Sequence, residues 1–204
     1  MKHSIKIKKF LSREVADFIK VYWKSELARR GRSKVDNGKQ RVIKRGSQNG
    51  RKIVSQGDPM VEALGRSSSQ RISRIVGTGV HLSYGEIVEY IAGYEFGWQK
   101  WRWECEYCAL IHLQEEKCQL GLTKKYETGN LDPDELVSLE YGDALIYRAA
   151  ELFQGRLPMK HNTLQVHLMY VPEGTLLDDL DKRQVWGEWY ETRKEEPRVK
   201  SNIW

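Results

Sequence analysis

Gly142-Asp143-Ala144-Leu145-Ile146-Tyr147-Arg148, running on through Ala149 to Gln154-Gly155-Arg156, is the stretch on which the reading of this chain turns. Asp143 to Ala149 is short and rich in β-branched and aromatic residues, which is strand chemistry. The same chemistry recurs at Ser83 to Tyr90, Glu104 to Leu113, Leu136 to Leu139 and Leu164 to Val171, with turn signals such as Thr128-Gly129-Asn130 and Asp132-Pro133-Asp134 between. Two helices come first. Phe10-Leu11-Ser12 opens an amphipathic helix to about Arg30, with Ser12 as N-cap and Glu14 and Asp17 in the first turns. Its helical spacing predicts that Val15, Phe18, Ile19 and Tyr22 face the core. Gly57-Asp58-Pro59 starts the second helix, Asp58 capping and Pro59 at the first helical position. Met60, Leu64, Ile72 and Ile75 supply its buried side, and Gly77 or Gly79 ends it. Helices followed by strands at this spacing predict an α+β fold whose strands form a sandwich or barrel.

The 204 residues suffice for one domain with an arm or tail, and seven Trp with 40% apolar residues predict a packed core. No apolar run approaches the roughly 18 residues of a membrane span, so no membrane partner is expected. The basic start lacks the apolar region of a signal peptide. Three Cys, an odd count, fit a reducing interior, so the expected location is cytoplasmic. Charge is unevenly spread: residues 1–52 hold 17 Lys and Arg against four acids, a net +13 that leaves −7 for the rest.

Much of that excess falls in residues 31–57, which have no periodicity and read as a polybasic loop. Arg29, Arg30, Arg32, Lys34, Lys39, Arg41, Lys44, Arg45, Arg51 and Lys52 are candidate contacts for nucleic acid or another polyanion, by counterion release. A merely solvated loop is the alternative. Aromatics for base stacking are missing, so reading of single strands is not expected. Residues 1–171 form the expected domain. Residues 172–204 are a charged tail in which Trp186, Trp189, Tyr190 and Trp204 stand out. These aromatics would dock on the protein's own barrel or on a protein partner or assembly.

Over about residues 10–171 the chain resembles the 2-oxoglutarate and Fe(II)-dependent dioxygenases in their prolyl-4-hydroxylase-like form. Phe10-Leu11-Ser12 and Gly57-Asp58-Pro59 resemble the openings of that family's first two helices. Tyr84 and Tyr90 look like the aromatic positions of the strand before the metal motif. Gly142 to Arg148 is similar to the Gly-Asp-x-x-Ile-Tyr-Arg strand leading to the last metal ligand, and Gln165 to Val171 looks like the closing strand. The resemblance implies a double-stranded β-helix, or jelly roll, with N-terminal helices packed on one face. It also sets Trp98-Gln99-Lys100-Trp101-Arg102-Trp103-Glu104-Cys105-Glu106 across the barrel from Gly142–Arg156.

Enzymes of that family hold iron by two His and one carboxylate on one face of the metal. The family writes the first two as His-x-Asp followed by Arg, and the third as the His of His-Trp-Arg-x-Pro. Here the corresponding runs are Gln99-Lys100-Trp101-Arg102 and Gln154-Gly155-Arg156-Leu157-Pro158, so Gln99, Trp101 and Gln154 fall at the three ligand positions. Gln offers a weak amide oxygen and Trp only an N–H donor. The resemblance therefore implies a degenerate member with neither iron nor 2-oxoglutarate as cofactor. Arg102 and Arg156 persist beside the replaced positions. With Tyr90 they are candidate anion contacts, or else structural groups paired with Glu104, Glu106 or Glu151. The Arg expected two residues before Tyr90 is Val88. A relocated metal site would draw on His112, His167 and Glu106. Cys105 and Cys108, three apart in a strand, would point to opposite faces.

The expected function is that of a pseudoenzyme, a non-catalytic dioxygenase-fold protein serving as a binding, structural or assembly module. A virus or phage particle is one setting its extensions suggest, which would place it in the host cytoplasm or the virion. Two alternatives stay open. One is an active hydroxylase with unorthodox ligation, using Fe(II) and 2-oxoglutarate. The other is a basic nucleic-acid-binding accessory protein.

Overall fold

The computed structural model describes residues 4–32, 42–47, 50–94, 96–101, 105–125, 133–156 and 160–175. Helix α1 (Arg13–Arg32) and helix α2 (Pro59–Val76) accompany strands β1 (Ser4–Ile7), β2 (Val42–Ser47), β3 (Gly50–Gln56), β4 (Val80–Tyr90), β5 (Phe96–Gln99), β6 (Tyr107–His112), β7 (Cys118–Thr123), β8 (Glu135–Leu139), β9 (Ala144–Arg148), β10 (Phe153–Arg156) and β11 (Thr163–Pro172). The strands make two antiparallel sheets, a larger one in the order β1-β9-β6-β11-β4-β3-β2 and a smaller one in the order β5-β10-β7-β8. This is the α+β jelly roll, with its helices on the outer face of the larger sheet.

Alternation along the strands divides the core in two. On one side Ala109 and Ile111 of β6 and Val166 and Leu168 of β11 meet Ala16, Ile19 and Trp23 of α1 and Val61, Ile72 and Val76 of α2. On the other, Cys108, Leu110, Leu145, Tyr147 and Met169 meet Leu120 and Leu122 of the smaller sheet. Helix α2 lies close on β4 because a Cβ at Gly65 would stand 2.5 Å from Leu82, and one at Gly85 2.7 Å from Val61. The Asp58 carboxylate accepts from the Met60 amide and from the Tyr22 hydroxyl, so the cap of α2 also ties α1 down. Gly77, at φ 80°, ends the helix.

The Gly142-Asp143 pair has a structural task. Gly142 sits at φ 79°, its carbonyl accepting from the Leu11 amide. Buried Asp143 accepts from the amides of Lys9 and Glu140 and pairs with Lys6 at 2.9 Å. The segment leading into α1 is thereby stitched to the start of β9.

Four expectations need correction. Of Met60, Leu64, Ile72 and Ile75 on α2 only Ile72 is buried; the other three pack half-buried at its margin, and the buried side is Val61, Gly65, Ser68, Ile72 and Val76. Val15 and Phe18 are exposed, at 42% and 59%, and Tyr22 is half-buried; the buried face is Ala16, Ile19 and Trp23. The apolar arc of α1 is wider than the sheet can cover. Residues 31–57 are not wholly a loop: β2 and β3 pair as a hairpin, and β3 adds to β4. An open edge on β4 finds backbone partners there without needing apolar periodicity. Cys105 precedes its strand, so it and Cys108 join the same cluster instead of facing apart. Strands β1, β5, β7 and β10 were also not foreseen as strands. Residues 176–204 of the tail, with Trp186, Trp189, Tyr190 and Trp204, lie outside the described residues, as do Lys34, Lys39, Arg41 and Arg102.

Candidate functional site

One wall of the barrel interior is lined by the inward positions of β4, β11 and β6. Antiparallel register sets Tyr84 beside Met169, Glu86 beside His167, Val88 beside Gln165 and Tyr90 beside Thr163. Across β11, Gln165 pairs with His112 and His167 with Leu110. Glu86, Gln165 and His167 are all buried, which is unusual for such groups unless they are satisfied. They satisfy one another. His167 Nδ1 lies 3.0 Å from a Glu86 oxygen and Nε2 3.3 Å from Gln165 Oε1, which also accepts from the Arg156 guanidinium at 2.8 Å. Arg156 stacks over Tyr90, 4.7 Å from the ring centre. Because Gln165 Oε1 can only accept, the His167 Nε2 contact requires an N–H there. Arg156 and Tyr90 are thus brought together, within the same buried polar network. Glu151 is taken by Arg148.

The other wall comes from β5 and β10. Gln99 is the register partner of Gln154. Gln154 is fully buried, whereas the Gln99 side chain is exposed. Half-buried Trp101 points inward: its indole N–H donates to Tyr147 Oη at 3.2 Å, and the Tyr147 hydroxyl donates to Gln154 Oε1 at 2.5 Å. Burial pushes the Tyr147 phenol well above its ordinary pKa, so it stays a donor. The Trp101 ring meets His167 edge-on at 6.0 Å. Trp98 packs against the paired glycines of β7 and β10: a Cβ at Gly155 would stand 2.8 Å from its ring and one at Gly121 2.9 Å. With Trp101 as the inner anchor and Trp98 gripping the glycine pair, Lys100 between them lies over Phe153.

The residues of a relocated metal site do not converge. His112 Nε2 contacts the Glu116 carbonyl at 2.7 Å, and the carboxylate at His167 is that of Glu86, not Glu106. Among the described residues no three His, Cys, Asp or Glu side chains gather into a metal-holding group. All three cysteines are buried and none forms a disulfide, and burial raises the Cys108 thiol.

No protein-family model matches the sequence, and no curated protein matches it. Solved structures do. The epimerase SnoN of nogalamycin biosynthesis, in complex with Fe3+, alpha-ketoglutarate and nogalamycin RO, has a TM-score of 0.60 at 13% identity, over 88% of this chain and 84% of that one. An oxidoreductase of the 2OG-Fe(II) oxygenase family from Burkholderia pseudomallei gives 0.59 at 10% identity, over 82% and 84%. A prolyl-4-hydroxylase from Pseudomonas putida gives 0.55 at 13% identity, over 84% and 94%. The fold is that of the 2-oxoglutarate/Fe(II) oxygenases.

At Gln99, Trp101 and Gln154, the positions that the resemblance aligns with the iron ligands, the side chains are poor iron donors. A ligand must offer a lone pair toward the metal. The Trp101 nitrogen has only its N–H to offer, and that bond is made to Tyr147. The Gln154 oxygen already accepts a hydroxyl proton, and its buried Nε2 is a donor with no partner among the described residues. Gln99 faces solvent. Tyr147, Glu86 and Gln165, which organise this interior, were not singled out from sequence. Their signal was polar or hydroxyl groups at inward positions of otherwise apolar strands.

Proposed function

We propose that this chain is a non-catalytic protein of the dioxygenase fold, a binding or structural module in which the metal centre has been replaced by a packed polar core. The observation that carries the reading is the Trp101–Tyr147–Gln154 hydrogen-bond chain, in which the Trp101 N–H and the Gln154 Oε1, at two of the three ligand positions implied by the resemblance, both bond to Tyr147. Gln99, the third, is neutral and solvent-facing. Of the two arginines that are candidates to meet a dicarboxylate, Arg102 lies outside the described residues, and Arg156 already gives one N–H to Gln165 and stacks over Tyr90. Function then moves to the surface. The basic segment around β2 and β3, the exposed apolar side of α1 and the aromatic tail are the features available for partners. An assembly role, as in a virus or phage particle, is the form of this reading that such extensions support.

Anaerobic Fe(II) titration of the full chain, together with an assay of succinate formation from 2-oxoglutarate, tests the proposal. Neither stoichiometric iron binding nor succinate is expected. Both together would overturn it and establish a hydroxylase with unorthodox ligation.

A further inference from the structure

We propose that the β2–β3 hairpin is a wing that binds double-stranded DNA. Its strands pair from Val42↔Ser55 to Ser47↔Gly50, while β3 pairs with β4 only from Lys52↔Tyr90 to Gln56↔Glu86. Positions 46–47 and 50–51 therefore extend past the last pair with β4. Near that tip the register sets Arg45 directly opposite Lys52, with Lys44 and Arg51 adjoining them. Like charges on directly opposed positions destabilise a sheet. Protection of an exposed edge explains cations on β2, the outermost strand. It does not explain Lys52, where β3 lies inside, between β2 and β4. An anion lying across the hairpin would convert the repulsion into binding.

The surrounding sequence matches that ligand. Residues 29–52 hold ten Lys and Arg against a single acid, Asp36, and six of the ten are Arg, whose forked donors suit phosphate. Exposed Arg29 begins the run on α1. No aromatic residue lies between Lys24 and Ser83, so base stacking on single strands and insertion into a lipid interface both lack their usual anchors. A two-stranded ribbon enters the B-form major groove, about 12 Å wide, but not the deep, narrow groove of duplex RNA. The net −7 of residues 53–204 repels DNA elsewhere and so turns this end toward it.

Fluorescence anisotropy of a labelled 30-bp DNA duplex with the full chain, at 50 and 200 mM KCl, tests the wing. Four ribbon cations on phosphates, at a slope of about −0.9 each, predict roughly a hundredfold loss of affinity over that range. The double substitution Arg45→Gln with Lys52→Gln should flatten the log–log slope by about two while leaving the melting temperature unchanged or higher, since it removes the opposed charges. Lys44→Gln with Arg51→Gln should flatten it equally, and serves if the first pair fails to fold. Salt-independent binding, a wild-type slope in these variants, or tighter binding to duplex RNA or to phosphatidylserine vesicles would each overturn the proposal. Iron binding and DNA binding are separate readouts, so this proposal and the non-catalytic reading fail independently.

Discussion

Tyr147 is the residue on which the interior depends. Its hydroxyl accepts from Trp101 and donates to Gln154, so one oxygen fixes two side chains from the opposite wall. Tyr147→Phe takes this partner from the half-buried Trp101 indole N–H and from the buried Gln154 amide oxygen, and an unsatisfied buried polar group costs about 1–3 kcal/mol. We expect destabilisation in that range by urea denaturation. Adding Gln154→Leu removes the orphaned amide, so the double variant should be clearly more stable than the sum of the single losses predicts. Strict additivity would mean the chain is not an energetic unit. The positions at Gln99, Trp101 and Gln154 were legible because resemblance aligns them. Tyr147 was not, because an aromatic in a strand reads as ordinary packing until the facing wall is known.

Helix α1 shows how far an element can be read from its own sequence. Its existence, its Ser12 cap and its charged first turn were all visible, and the Ser12 carbonyl accepts from the Ala16 amide. Its buried face was not, because Val15, Phe18 and Val21 widen the apolar arc beyond what the sheet contacts. Periodicity reports that an arc exists; only the partner decides which part of it is covered. Ile19→Ala should therefore cost about 2–5 kcal/mol, as buried large-to-small changes do. Phe18→Ser should stay within about 0.5 kcal/mol, as exposed substitutions do. Chemical denaturation of the two variants checks the assignment, and comparable losses from both would refute it. The ends of helix α2 were read correctly because they carry backbone chemistry, Asp58-Pro59 and Gly77, that needs no partner, whereas of its expected buried side only Ile72 is buried. The hairpin of β2 and β3 is the opposite case, a polar ribbon whose strand character comes from the β4 edge it joins.

At the scale of the whole molecule, two buried groups on either side of one junction set how the fold responds to acid. His112 and Asp143 are joined through the backbone, the His112 amide donating to the Asp143 carbonyl. Burial, opposed in part by the Glu116 carbonyl, lowers the His112 pKa below the ordinary 6.5. Its Nε2–H is spent on that carbonyl, so a second proton would enter at buried Nδ1, which has no partner among the described residues. The unfolded chain takes this proton more readily than the folded one. Stability is thus full above about pH 6.5 and declines as pH falls toward the depressed folded value. Asp143 acts in a separate window. Burial alone would raise its carboxyl, but Lys6 and the amides of Glu140 and Lys9 outweigh burial and hold it below the ordinary 3.8. Its contribution is present above about pH 3.8 and is lost as pH falls through the folded value. Urea midpoints should therefore drop between pH 7.5 and 5.0, and drop again toward pH 3. His112→Gln should remove part of the first decline and leave the second, whereas Asp143→Asn should do the reverse and lower stability at neutral pH. A first decline unchanged in His112→Gln would exclude that residue as its source. Because Asp143 stitches the approach to α1 onto β9, the second decline should loosen the helical layer first, seen as faster amide exchange in α1 than in β6 or β11 at pH 3.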